Sequence, residues 1–361
     1  MNIDPVISLA GNLDLIDIKK EYGDLQTLVY GIISVLEQDS SKNYKIRSIK
    51  TGNKWRKLSI PHPFLRKIQE KILKNILYED VADPLYGLEG KIYQGTKFGR
   101  SHKIICCGMK KRSVVQAATA HIKSKTFFTV DLYHAYDYVI KDMLWKVLSD
   151  FYTPLDDQKL ELIDLIIQLT TFKGYLPQGA PTSTFMFNLA LYYLDKWLLK
   201  ILRNTNIVYT RYADDLVFSC TKYQIPKGTR KWIIDVIKKY GFPVNRNKIH
   251  YRTGIKRIPK MLGVSIKNKF FCELVEDPSI PKWIKQSYQP RLAVSRRTIE
   301  RYRAIIHNEL VSENPNTSLV LGIISWCCHV ENEIPKRLYK PFDEFTKKHN
   351  LTHQRQKYFL K

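Results

Sequence analysis

Residues 207–220 read IVYTRYADDLVFSC. Two runs rich in β-branched and aromatic residues meet at residues 213–215 (ADD), which predicts a β-hairpin with acidic side chains at its turn. A third β-rich run, residues 125–130 (KTFFTV), ends immediately before Asp131. A pair of aspartates between two strands is, in isolation, most often an ordinary turn. The role of these carboxylates therefore depends on what surrounds them.

The order of the predicted elements indicates an α+β fold. Between about 125 and 270 it runs strand, helices, strand hairpin, helix and strand, which suits a small antiparallel sheet backed by helices in the ferredoxin-like split arrangement. Helical patterns are predicted at 64–78, 158–170, 184–202 and 228–241, and they dominate from 283 onward.

The three carboxylates Asp131, Asp214 and Asp215 each follow a strand-like run, so one sheet edge can bring them together. Clustered carboxylates repel one another and lose hydration, and they persist mainly where a cation compensates. Mg²⁺ suits this role, because it is commonly held by one or two carboxylates together with substrate phosphates. Two such ions would activate an attacking hydroxyl and stabilise a leaving pyrophosphate. The predicted cofactor is therefore a pair of Mg²⁺ ions.

The chain is strongly basic, with 59 Lys and Arg against 34 Asp and Glu and a formal net charge of +25. This excess predicts a polyanionic partner, although added solubility is the simpler alternative. Nucleic acid is favoured over a membrane, because no run of about 18 apolar residues exists. The N-terminus also lacks a basic region ahead of an apolar stretch, so a cytoplasmic protein is expected. The six cysteines show no C-x-x-C spacing, which argues against a zinc knuckle.

Five motifs, in sequence order, resemble those of reverse transcriptases. They are 54–58 (KWRKL), 131–136 (DLYHAY), 176–183 (LPQGAPTS), 212–215 (YADD) and 241–248 (GFPVNRNK). The resemblance implies a right-hand polymerase with fingers, a ferredoxin-like palm and a helical thumb. The expected boundaries are 1–115 for the N-terminal region and fingers, 116–275 for the palm with some fingers elements, and 276–361 for a basic thumb.

The same resemblance implies roles for individual residues. The catalytic, metal-binding set would be Asp131, Leu132, Asp214 and Asp215, with the three aspartates as the catalytic residues. Tyr136 would lie under the sugar of the incoming nucleotide and reject a ribose 2′-hydroxyl by shape, unless it is simply a packed core aromatic. Further substrate contacts would come from Lys54, Arg56, Gln178, Gly179 and Lys248, the last of which would donate a proton or charge to the departing pyrophosphate.

Within the superfamily, residues 177–183 (PQGAPTS), followed by 188–191 (NLAL), look most like retron reverse transcriptases. These bacterial enzymes copy part of their own structured RNA, starting from a ribose 2′-hydroxyl, and serve in anti-phage defence with separate effectors. The similarity implies a dedicated structured non-coding RNA, its DNA copy, dNTPs and a separate effector protein as partners. The residues predicted to bind RNA are His121, Arg296 and Arg297.

Two segments depart from the retron pattern. Residues 117–121 (AATAH) keep the Ala and His of N-A-x-x-H but lack its Asn, and residues 261–263 (MLG) replace V-T-G and are closer to the L-G of group II intron enzymes. Other defence-associated or group II intron-like reverse transcriptases are therefore alternatives, as is untemplated DNA synthesis or RNA synthesis by the same site. A catalytically silent RNA-binding protein with a polymerase fold is a further alternative, although the three intact carboxylates argue against it.

Overall fold

The structure is a computed structural model, and it describes residues 3–13, 23–51, 54–82, 85, 87–92, 100–221, 224–253, 260–261, 264–267, 291–351, 353 and 358. The strands are β1 (Tyr44–Thr51), β2 (Lys54–Pro61), β3 (Glu89–Ile92), β4 (Arg100–Lys103), β5 (Thr126–Asp131), β6 (Ile207–Tyr212), β7 (Asp215–Cys220), β8 (His250–Arg252), β9 (Lys260–Met261), β10 (Val264–Lys267) and β11 (Arg291–Val294). The α-helices are α1 (Asp4–Asn12), α2 (Leu25–Glu37), α3 (Pro63–Lys71), α4 (Val114–Ala120), α5 (Lys141–Phe151), α6 (Asp157–Thr170), α7 (Ser183–Ala190), α8 (Tyr192–Leu202), α9 (Lys227–Lys239), α10 (Arg296–Val311), α11 (Thr317–Glu331) and α12 (Lys336–Lys348).

Four antiparallel strands form the central sheet, in the order β6-β7-β5-β8. Helices α5 to α8 connect β5 to β6, and α9 connects β7 to β8. This is the predicted β–α–β–β–α–β connectivity, with the β6–β7 hairpin where the sequence places it. The carboxyl end of β5 therefore lies beside the start of β7, where the acidic residues are.

The central sheet is buried on both faces. Phe128 and Phe218 pack into the larger core cluster beneath the sheet, whereas their neighbours Phe127 and Val217 pack into a second cluster with the C-terminal helices. Alternate side chains of a strand point to opposite faces, so adjacent residues on β5 and β7 bind the two layers together. This double burial holds the strand ends in fixed positions.

The remaining strands form smaller sheets around this centre. Strands β1 and β2 form a hairpin, β3 pairs with β4, and β10 lies between β9 and β11. Helices α10 and α12 pack against each other, and their buried side chains join the second core cluster. None of the helices in the described part of the chain has the length and apolar character that a bilayer-spanning segment requires.

Three local features differ from the sequence prediction. The predicted helix at 64–78 changes after Lys71 into a π-helix, Ile72–Val81. The predicted helix at 184–202 is two helices, because the first ends at Ala190 and the second begins at Tyr192. Strand β11 lies in a region where helices were predicted to dominate, and it forms by pairing with β10, which precedes it in the chain.

Candidate active site

The sheet register brings the three carboxylates to one edge. Asp131, the last residue of β5, is the cross-strand partner of Asp215, the first residue of β7. The backbone N–H of Leu132 donates to the carbonyl oxygen of Asp214 at 3.0 Å, which ties the end of β5 to the hairpin turn. Ala213 enters the turn with φ +53°, in the left-handed region that residues other than glycine seldom occupy. The acidic cluster predicted from the sequence is therefore assembled by backbone pairing.

Asp131 is almost completely buried and has two side-chain partners. The Nζ atom of Lys248 lies 2.5 Å from its Oδ2, and the Nδ2 of Asn245 donates to its Oδ1 at 3.3 Å. The backbone N–H of Asn245 also donates to the carbonyl oxygen of Asp131 at 2.9 Å. Lys248 thus compensates the charge of Asp131, and Asn245 fixes its orientation. Asn245 was not predicted as a site residue, although its position in the 241–248 motif is the signal that identifies it.

The other two carboxylates carry charge that is poorly compensated. Burial raises the pKa of Asp214 above its ordinary value, and the neighbouring Asp131 raises it further, while Lys248 and Arg56 oppose the effect. Burial, followed by the charges of Asp214 and Asp131, raises the pKa of Asp215 to about 6. Lost hydration and mutual repulsion both disfavour the ionised forms. A bound cation would relieve both.

The donor set suits a hard divalent cation, because it consists of carboxylate oxygens with excess negative charge. Leu132 can contribute to such a site only through its backbone carbonyl oxygen. Among the described residues, no group of three or more His, Cys, Asp and Glu side chains is already arranged to hold a metal ion. The ammonium of Lys248 contacts Asp131 instead.

Tyr136 lies beside the acidic cluster with its ring held in place. The ring stacks on Phe187 with centroids 4.9 Å apart and planes 10° from parallel. Its hydroxyl donates to the Oγ1 of Thr184 at 3.3 Å. Burial raises the pKa of this hydroxyl, and the charge of Asp214 is near enough to contribute. The ring is half-buried, and Phe187 packs against one of its faces.

The segment containing Gln178 and Gly179 is joined to the β1–β2 hairpin. The carbonyl oxygen of Gln178 accepts a hydrogen bond of 2.7 Å from the backbone N–H of Ser59 on β2. Gly179 has φ +121°, and a Cβ atom there would lie 3.3 Å from the carbonyl oxygen of Ser59. Both the conformation and the close approach require glycine. This turn therefore links the hairpin to the remainder of the site.

The two basic residues predicted to contact phosphate lie on that hairpin. Lys54 is the first residue of β2, and Arg56 is exposed two residues later on the same strand. The charge of Arg56 is close enough to Asp214 to lower the pKa of that carboxyl. Arg56 therefore lies within electrostatic range of the acidic cluster.

His121 does not occupy the surface position that RNA contact requires. Its side chain is 0% exposed, with Nδ1 at 2.6 Å from the hydroxyl of Ser219 and Nε2 at 2.7 Å from that of Thr210. The prediction of direct RNA contact at His121 is wrong for this structure, because both ring nitrogens face the interior. The imidazole instead joins the end of α4 to strands β6 and β7.

Replacing His121 with Ala should lower Tm by several degrees. The buried hydroxyl of Thr210 loses this partner, which costs about 1–3 kcal/mol. The RNA affinity of the folded protein should change little. Thermal unfolding and RNA titration would be compared with His62→Ala, which removes an exposed histidine that makes no capping hydrogen bond. A large loss of RNA affinity with an unchanged Tm would contradict the structural role.

Arg296 and Arg297 occupy the first turn of α10, and both are exposed. Ser295 caps this helix, with its side chain accepting from the backbone N–H of Thr298. The positive end of the helix dipole and two guanidinium groups therefore coincide, an arrangement that favours phosphate. Both residues are far along the chain from the acidic cluster.

Comparison with known proteins places the chain in a family. The family model described as "Reverse transcriptase (RNA-dependent DNA polymerase)" matches residues 49–266, more than half of the chain. The chain therefore belongs to the reverse transcriptase family.

Individual relatives are retron enzymes. The chain is 23% identical to the retron Ec48 reverse transcriptase of Escherichia coli over 79% of its length, and 24% identical to the retron Ec86 reverse transcriptase of the same organism over 66%. These matches span 63% and 67% of the two relatives' own lengths. Among solved structures, apo telomerase from Candida tropicalis superposes with a TM-score of 0.46 at 12% identity, over 88% of this chain and 61% of that one.

Proposed function

We propose that the protein is an RNA-directed DNA polymerase that extends DNA by Mg²⁺-dependent nucleotidyl transfer. The observation that carries this proposal is the placement of Asp131 opposite Asp215 and beside the Asp214 turn, in a chain of the reverse transcriptase family. A fold that only bound RNA would gain nothing from placing three carboxylates together at a sheet edge, since their repulsion and lost hydration are costly.

The proposed reaction joins a nucleic-acid hydroxyl to the α-phosphorus of a dNTP. A P–O bond forms as the attacking hydroxyl releases its proton to solvent and the bond from the α-phosphorus to the bridging oxygen breaks, and pyrophosphate departs. Two Mg²⁺ ions bound by Asp131, Asp214, Asp215 and the Leu132 carbonyl would polarise the phosphoryl oxygens and the attacking hydroxyl. Asn245 orients Asp131 throughout. Lys248, which contacts Asp131, would supply a proton or positive charge to the departing pyrophosphate.

Nucleotide selection is assigned to the residues around Tyr136. Its ring, which stacks on Phe187, would lie under the sugar of the incoming nucleotide and exclude a 2′-hydroxyl. Arg56 and Lys54 would bind the triphosphate from the β1–β2 hairpin, since guanidinium groups pair with phosphate oxygens in a bidentate way. Gln178 and Gly179 would place an amide and an exposed backbone beside the nucleotide and template.

The proposed template is a dedicated structured non-coding RNA, copied into DNA as part of a retron-like anti-phage system with a separate effector protein. The formal charge of +25 supports a nucleic-acid partner, and the similarity to retron enzymes supports this class of template. Residues 1–115, 116–275 and 276–361 would act as fingers, palm and thumb, with Arg296 and Arg297 binding the RNA backbone.

Sequencing the nucleic acid that copurifies with the protein from its own host tests this template assignment. We expect one discrete RNA, or RNA joined to DNA, that survives moderate salt, because recognition of loops and 2′-hydroxyls adds to phosphate contacts. Heterogeneous RNA that moderate salt removes would refute the retron-like role and leave a general polymerase.

Charge reversal at Arg296 and Arg297 should weaken binding of all RNAs alike. Each lost phosphate contact reduces the magnitude of the slope of log affinity against log salt by about 0.7–0.9. The slope of the double variant should therefore be smaller in magnitude by up to about 1.8. RNA titration at several salt concentrations measures this slope. Charge reversal at Lys238 and Lys239, two consecutive exposed residues on α9, is the matched control. This control should leave the slope nearly unchanged. Equal slopes for the two double variants would contradict the assignment.

A further inference from the structure

A buried ionic network lies directly behind the catalytic turn. Arg211, on β6, has a side chain that is 0% exposed, and so has Asp195 on α8. The guanidinium contacts both oxygens of that carboxylate, with Nε at 3.2 Å from each and Nη2 at 2.7 Å from Oδ2. Its Nη1 donates to Oδ1 of Asn188, on α7, at 2.8 Å. Arg211 thus connects β6 to two helices through charge-assisted hydrogen bonds.

The same guanidinium reaches the turn that carries the aspartates. Nη1 of Arg211 also donates to the carbonyl oxygen of Ala213 at 3.3 Å. Ala213 is the residue with φ +53°, a conformation that costs energy in a residue with a Cβ atom and needs support from its surroundings. Asp214 and Asp215 follow immediately, so the direction of the Ala213 peptide sets where their side chains start.

The backbone of Arg211 is held just as firmly. Its N–H donates to the carbonyl oxygen of Ile104 at 2.7 Å, and its own carbonyl oxygen accepts from the N–H of Cys106 at 3.1 Å. Asn188 contacts the same segment, since its Nδ2 donates to the carbonyl oxygen of Cys107 at 2.8 Å. The guanidinium therefore extends from a fixed base, and its contact with Ala213 restrains the turn.

Helix α7 also carries the residues that hold Tyr136. Thr184 accepts the hydrogen bond from the tyrosine hydroxyl, and Phe187 stacks on its ring. Phe187 is adjacent in sequence to Asn188, and its ring centroid lies 5.9 Å from the Arg211 guanidinium. One buried arginine therefore contacts both the helix behind the proposed sugar gate and the turn with the aspartates.

We propose that Arg211 is a positioning residue. Through the Ala213 carbonyl it holds Asp214 and Asp215 in their metal-binding arrangement. Through Asn188 it fixes the position of that turn relative to Tyr136. The proposal rests on the proposed function, because it assigns the aspartates to metal binding. A buried ion pair is weak evidence for a stabilising role, since well-packed apolar residues often replace such pairs without loss. The hydrogen bond from Arg211 to the carbonyl oxygen of Ala213 therefore explains the arrangement of the Arg211–Asp195 pair better than a contribution to stability does.

Two variants separate positioning from folding. Arg211→Met alone leaves Asp195 buried without its partner and is expected to unfold readily. Arg211→Met combined with Asp195→Leu removes both charges, so the fold should survive while the contact with Ala213 is lost. Arg211→Lys keeps a charge beside Asp195 but lacks the planar fork that reaches three partners. Tyr209→Phe is the control, because it removes the hydroxyl that donates to Oδ1 of Asp195 at 2.6 Å and leaves Arg211 itself unchanged.

The measurement is a titration of the full chain with Mn²⁺ in the absence of nucleotide. Electron paramagnetic resonance monitors binding at a temperature well below Tm. We expect a loss of affinity of about 10-fold or more in R211M/D195L and in Arg211→Lys, and wild-type affinity in Tyr209→Phe. The dNTP-to-rNTP preference should fall in the same two variants. Wild-type Mn²⁺ affinity in either folded Arg211 variant would overturn the proposal. If the wild type and D214N/D215N bind Mn²⁺ equally, the metal site itself, and with it the proposed function, is what fails.

Discussion

Replacing Asp214 and Asp215 together with Asn should reduce nucleotide incorporation on the order of 10³-fold or more. Metal-ion catalysis supplies several kcal/mol of transition-state stabilisation, and each 1.36 kcal/mol corresponds to a factor of ten in rate. Asn preserves the size of the side chain but removes the charge that holds a divalent cation. Single-nucleotide incorporation with Mg²⁺, under single-turnover conditions, measures the loss.

The same variant should be more heat-stable than the wild type when metal is absent. The pKa of Asp215 is raised to about 6 in the folded state, so at neutral pH its ionised carboxylate opposes folding. That penalty is fully present above about pH 6 and disappears as the pH falls toward the unfolded value near 4. Replacing the carboxylate removes the penalty, and Tm in EDTA should rise by a few degrees.

Added Mg²⁺ should then change the difference in Tm between the wild type and D214N/D215N in the opposite direction. A ligand that binds only the folded state raises Tm, so the wild type should gain stability and D214N/D215N should gain little. Asp137→Asn is the matched control, because Asp137 is an exposed aspartate on the 3₁₀ turn beside Tyr136. It should retain both activity and the Mg²⁺-induced shift. Full extension by D214N/D215N would refute the assignment of the site.

Replacing Tyr136 with Ala should lower the preference for dNTP over rNTP by about 100-fold. The ring is fixed by Phe187 and Thr184, so it cannot easily move away from a 2′-hydroxyl, and only its removal opens the space. The ratio of kcat/KM for a dNTP and the matching rNTP measures the effect. Incorporation of dNTPs should continue, because no metal ligand is altered.

Tyr136→Phe is the control for this prediction. It keeps the ring and loses only the 3.3 Å hydrogen bond to Thr184, so discrimination should remain close to that of the wild type. An unchanged dNTP-to-rNTP ratio in Tyr136→Ala would show that another residue excludes the 2′-hydroxyl. A similar loss in both variants would instead place the selectivity in the hydroxyl group.

Local sequence patterns were sufficient for the parts of the site that lie on consecutive residues. The β-rich runs before Asp131 and around Asp214-Asp215 predicted strands that the structure contains, because strand propensity and turn chemistry are local properties. The resemblance implied nucleotide contacts for Arg56 and Tyr136, which would require both residues to lie near the carboxylates. Their electrostatic effects on or from Asp214 agree with that expectation.

Properties that depend on distant partners could not be predicted in this way. His121 is buried because Thr210 and Ser219, 89 and 98 residues away, satisfy its two ring nitrogens. Asp195 gave a weak signal, as an acidic residue among the apolar residues of a helix, but nothing local identifies Arg211 as its partner. The π-helix at Ile72–Val81 has the same apolar periodicity as the α-helix that precedes it.

The proposed function assigns RNA-templated DNA synthesis to the cluster of Asp131, Asp214 and Asp215. Its most direct test is primer extension with Mg²⁺ on a set of RNA templates that differ only in the base to be copied. We predict that each template directs incorporation of its complementary dNTP, and that D214N/D215N incorporates none. Incorporation that ignores the template base, or that persists in D214N/D215N, would contradict the account.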